Sequence, residues 1–159
     1  MTKTNYLNFI LSTMLVHVVT YVVVGSLAYY FIYEDAVSAG GFDQFIRNPS
    51  NPEEFLHVET WLFPAQILRG LLFGLALSPF LATLKTWTLA KRFLVLLGLL
   101  LVFSVWSVTM PVPGSIEGWL YLKPDISPQL DTPLLGYIEV PVQLALFSLL
   151  IAWRIEKLK

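Results

Sequence analysis

The chain has 159 residues, of which 56% are hydrophobic and only 13% charged, and its mean hydropathy is +0.68. A soluble domain carries about 25% charged residues, so this composition excludes a water-covered globule and points to one domain solvated largely by lipid. There is no cysteine, which excludes disulfides, thiolate metal sites and thiol redox chemistry, and the ten basic residues at a net charge of −1 are too few and too close to apolar runs for a nucleic-acid surface.

The first apolar run, residues 6–33, has as polar interruptions Asn8, Ser12, Thr13, His17, Thr20 and Ser26. Lys3 ahead of it and Ser26-Leu27-Ala28 within it resemble parts of a signal peptide. Apolar residues nevertheless continue through Tyr33, which favours an uncleaved spanning helix. Residues 34–58 form a polar loop with Gly40-Gly41 and the turn Asn48-Pro49-Ser50-Asn51-Pro52. Asn51 followed by Pro52, Glu53 and Glu54 reads as an N-cap, a proline at the first helical position and acids on the positive dipole end. The second helix is therefore predicted to start near Pro52, ahead of its spanning part at 59–84.

That second span contains Gln66, Arg69 and a row of small residues, Gly70, Gly74 and Ser78. The row suits either close packing inside the subunit or homo-oligomerisation. A short basic connection then turns the chain into a tight hairpin with the third span, 93–112, the purest in composition. Residues 113–133 are rich in glycine and proline and include Trp119, Tyr121 and Leu122, so they are expected on the membrane surface or folded over the helices. Asp131-Thr132-Pro133 repeats the cap-then-proline signal before the fourth span, 134–154, which contains Glu139, Pro141 and Gln143. Each run meets the roughly 20 residues needed to cross a bilayer.

Orientation follows from the flanking charges. Lys3, Lys85, Lys91, Arg92, Arg154, Lys157 and Lys159 fall on one side, whereas the other side holds only Arg47 and Lys123. The positive-inside rule then puts both termini in the cytoplasm. Tyr29, Tyr30, Tyr33, Trp61, Trp119 and Tyr121 mark the outer interface, and Trp87 and Trp153 the inner one. The expected fold is an all-α, antiparallel four-helix bundle in the plasma membrane.

Ionisable residues inside a span cost about 2.5–3.5 kcal/mol each at the helix centre, so they face a partner or a cavity. Arg69 and His17 fall near the midplane, and Glu139 lies ~8 Å below the outer end. Gln66 precedes Arg69 by one turn, and Gln143 follows Glu139 by one turn. One arrangement joins them: Arg69 pairs with Glu139, and His17, Gln66 and Gln143 complete the hydrogen bonds. In its bland form this is an ion pair that fixes helix register. In its sharp form it is a pocket open to the outside, with Arg69 as an anion anchor and Glu139 or His17 exchanging protons.

No cofactor is expected. The only other histidine is His57, in the first loop, so haem lacks a second axial ligand at the depth of His17. Asp43, Glu53, Glu54, His57 and Glu59 match no established metal-ligand spacing. The sequence has no zinc-protease helix, nucleophile elbow or P-loop, which weighs against an enzyme. The preferred function is binding or passage of a small anionic or amphipathic ligand. The alternative is an accessory subunit of a larger membrane complex, and a lipid-modifying enzyme ranks third.

Overall fold

The computed structural model describes residues 3–35, 51–105 and 136–158, and every regular element among the described residues is a helix, with no strand. The predicted loop 113–133, residues 36–50 with Asp43 and Arg47, and the last part of the third predicted span, 106–112, lie outside the described residues.

Helix α1 covers Lys3–Ala28 and runs on into a π-helical turn, Tyr29–Tyr33. Helix α2 covers Pro52–Leu77, and Asn51 caps it by accepting from the Glu53 N–H at 3.1 Å. The cap-then-proline pattern thus sets this start. At the other end the helix tightens into a 3₁₀ turn, Ser78–Phe80, before α3, Leu81–Thr86. The cause is Pro79, which has no N–H to give the Leu75 carbonyl. Ser78 supplies that carbonyl instead, from its backbone N–H and from its hydroxyl at 2.9 Å, so the carbonyl keeps its hydrogen bonds. Trp87 and Thr88 are extended, and Thr88 caps α4, Leu89–Leu100, which ends in a second π-helical turn, Leu101–Val105. Helix α5 covers Gly136–Lys157.

Three stretches are long and apolar enough to cross a membrane: Asn5–Ile32, Phe55–Thr86 and Ile138–Lys157. The faces of α1 show which solvent they suit. Leu7, Leu11, Leu15, Val19, Val23 and Leu27, one turn apart, are exposed, whereas Phe9, Thr13, His17, Thr20, Val24 and Ala28 are buried. A helix in water buries its apolar stripe. This one turns its most apolar row outward and hides two threonines and a histidine, as a lipid solvent demands.

Helix α1 packs on both α2 and α5, and α4 packs on α5. Its contact with α2 is backbone to backbone. A Cβ placed on Gly70 would lie 2.8 Å from Met14 Cα, and one on Gly74 would lie 2.9 Å from Ile10 Cα. Four residues along α2 match four residues back along α1, an antiparallel register fixed by glycines. Of the two roles open to the small-residue row, Gly70 and Gly74 thus serve packing within the chain.

The ends bearing Lys85, Arg92 and Lys157 meet in an apolar core of Phe9, Leu81, Leu84, Leu96, Phe147, Ile151 and Ile155, drawn from α1, α3, α4 and α5. We call this the basic end and the opposite one the far end. Two basic side chains close it against α5, one at a carbonyl just past the helix end and one at a carbonyl inside the helix. Lys85 Nζ donates to the Leu158 carbonyl at 2.5 Å. Arg92 is fully buried; it donates to the Trp87 carbonyl from Nε (3.1 Å) and Nη2 (2.7 Å), and to the Ala152 carbonyl from Nη1 (2.7 Å). Its Nη2 also pairs with Glu156.

Candidate functional site

The site grows from the polar stretch of α1's buried row. Thr13 and Thr20 turn inward but bond back to their own helix: Thr13 Oγ1 donates to the Phe9 carbonyl at 2.9 Å, and Thr20 Oγ1 to the Val16 carbonyl at 2.8 Å. Their hydroxyl protons are used within the helix. His17 between them reaches across to α2, where its Nε2 donates to Gln66 Oε1 at 3.1 Å. Gly70 permits that reach, because a Cβ there would stand 3.2 Å from His17 Cβ.

Two phenylalanines hold the imidazole from the other sides. Its ring centroid lies 5.2 Å from Phe73 and 5.8 Å from Phe147, both edge-on, and those two rings are 5.6 Å apart. Three mutually packed rings, one each from α1, α2 and α5, make a lid over the apolar core at the basic end. Such edge-to-face contacts add about 0.5–1.5 kcal/mol each beyond burial.

Above this aromatic floor lies a cavity of ≈ 240 Å³. His17 and Tyr21 line it from α1, Arg69 and Phe73 from α2, and Glu139, Gln143 and Phe147 from α5. Four of the five residues singled out in the sequence, Arg69, Glu139, His17 and Gln143, therefore share one space. Gln66 does not line it; it stands behind His17 and fixes the ring.

The expected pairing of Arg69 with Glu139 is not made: no ion pair within 4.0 Å joins them. The reason is axial offset. The residue after Arg69, Gly70, abuts Met14, whereas Glu139 Oε1 lies 3.8 Å from where a Cβ on Gly25 would be. The Gly70 contact reaches from Met14 to His17, eight to eleven residues short of Gly25, which separates the two backbones by roughly 12–16 Å along the axis at about 1.5 Å per residue. The exposed Arg69 guanidinium instead lies over the Phe73 ring, 5.8 Å from its centroid, within cation–π range. Nor do the glutamines complete one network. Gln66 bonds only His17, and Arg69, Glu139 and Gln143 make no side-chain hydrogen bond among the described residues. Also among the described residues, no group of three or more histidine, aspartate or glutamate side chains could hold a metal ion.

Sequence reasoning set Tyr21 on the face of His17 but missed Phe73 and Phe147, which read as ordinary membrane-helix residues. It also missed the work of Arg92, counted only as a flanking charge. One signal was present: Glu156 is the lone acid among the basic residues of that side. No known protein family, curated protein or solved structure matches this chain.

Proposed function

We propose that the protein is a small polytopic membrane protein whose far-end cavity binds a small anionic or amphipathic ligand. In this reading four helices cross the plasma membrane as an antiparallel bundle, the fourth span being α4 and its continuation. Both termini are cytoplasmic, the basic end faces inward, and the cavity opens toward the outer leaflet. The charge asymmetry of the flanks supports that direction.

One observation carries the functional reading. A cation and a carboxylate, Arg69 and Glu139, line the same cavity and have no polar partner among the described residues. Charges held in an apolar setting without partners are expensive, and a ligand that meets them removes that cost. Binding is favoured over passage, because among the described residues the His17, Phe73 and Phe147 rings floor the cavity and an apolar core lies beneath them.

The test is to purify the protein and its Arg69→Leu variant in mild detergent and identify by mass spectrometry what accompanies each. A small molecule held by the parent protein and lost from the variant is expected. Identical small-molecule content in two well-folded preparations would defeat the reading. A stoichiometric protein partner retained by both would favour the accessory-subunit alternative instead.

A further inference from the structure

The cavity adjoins a second space of a different kind. A groove of ≈ 210 Å³ runs between the far-end parts of α1 and α5, lined by apolar residues including Val24, Leu27, Phe31, Ile138 and Val142. Its one charged lining residue is Glu139, which also lines the cavity. Leu27, Phe31, Ile138 and Val142 are exposed on the outer surface of the helix pair, so the groove opens sideways, where lipid lies. A polar chamber and an apolar channel thus meet at one carboxylate.

The charges in the chamber narrow the ligand further. A simple anion satisfies Arg69 but brings its charge toward Glu139, and a simple cation does the reverse. A headgroup carrying both signs meets both. Phosphate oxygens accept from the guanidinium, for which Arg is the preferred donor, and an ammonium donates to the Glu139 carboxylate. Because Arg69 and Glu139 line one cavity and make no ion pair with each other, such a headgroup has none to displace. The chains attached to it then have an apolar exit past Glu139 into the groove.

We propose that the cavity and groove together hold one membrane lipid, its phosphate on Arg69, its ammonium on Glu139 and an acyl chain in the α1–α5 groove. This rests on the reading of the cavity as a binding site and names the class of molecule it takes.

The experiment uses the full chain in detergent and native mass spectrometry with three probes. These are a diacyl lipid with a phosphoethanolamine headgroup, a diacyl lipid of equal chain length with a phosphoglycerol headgroup, and free phosphoethanolamine. The first is expected to be retained about tenfold better than the second, the effect of one charge-assisted hydrogen bond. Glu139→Gln should abolish that preference. Val142→Trp, which fills the groove from an exposed position, should lose most of the bound lipid while circular dichroism stays unchanged. Equal retention of the two lipids, or preference for phosphoglycerol, overturns the zwitterionic headgroup and leaves the binding site standing. Free phosphoethanolamine binding as well as the lipid, with Val142→Trp without effect, overturns the groove. If no probe binds and Arg69→Leu changes nothing, this proposal and the reading beneath it fall together.

Discussion

The molecule holds two arginine–glutamate couples, and they are built in opposite ways. At the basic end Arg92 is fully buried, donates to two carbonyls and pairs with Glu156, whose side chain is 43% exposed. At the far end Arg69 is exposed, Glu139 is half-buried, and the two line a cavity without touching. Residue type does not distinguish the couples; satisfaction does. An arginine whose donors are taken up by backbone carbonyls and a carboxylate is a clamp. One that leans over a phenylalanine, with no polar partner among the described residues, holds nothing together.

The sharpest way to break this comparison is Arg92→Met. Losing a buried, multiply bonded cation should lower stability by about 3 kcal/mol, since partly exposed Glu156 is still reached by water when its partner goes. The denaturation midpoint in detergent measures it, and a shift below ~1 kcal/mol would remove Arg92 from the role of clamp. Next comes Gly74→Val, which drives a side chain into the Ile10 backbone and should cost about 1–3 kcal/mol. Gly98→Ala is its control: nothing lies within 4 Å of a Cβ there, so that change should be neutral or gain up to about 1 kcal/mol of helix propensity. If both glycines respond alike, close packing does not explain Gly74.

Gln66→Leu takes the acceptor from His17 and should destabilise by about 1 kcal/mol, small because a polar group in the membrane finds other partners when a helix separates. The smallest loss belongs to the other arginine. Arg69→Leu should cost no stability, and by removing an unpartnered charge from a span it should leave the midpoint level or raise it. A loss matching that of Arg92→Met would make Arg69 structural too, and the contrast would vanish.

How far these features could be read without coordinates depends on what sets each of them. The apolar runs and the start of α2 are local, written in hydropathy and in Asn51-Pro52, and they emerge from the chain alone. So does the list of polar residues that enter the membrane-spanning stretches. Whether Arg69 touches Glu139 is not local. It depends on where α1 meets each neighbour, which the contacts of Gly70 and Gly74 with Met14 and Ile10 decide on one side and the Gly25–Glu139 approach on the other. Opposite sign suggested a pair; the axial offset forbids one. Arg92 was obscured for a different reason, because a count of flanking charges treats every lysine and arginine as equal. Only the geometry of its guanidinium against α5 separates it from Lys91, which lies over Trp87 at 4.7 Å and stays exposed.

The glycine contact between α1 and α2 also has a consequence for biosynthesis. Helix α1 precedes α2 in the chain, and their register and the His17–Gln66 bond need nothing that is translated later. Glu139 follows Arg69 by seventy residues, so a nascent chain inserting its helices in order carries Arg69 into the bilayer while the third wall of its chamber is still unmade. For that interval the arginine must be tolerated by lipid, by the insertion machinery or by a headgroup drawn down beside it. The arrival of α5 would then close the third wall around it.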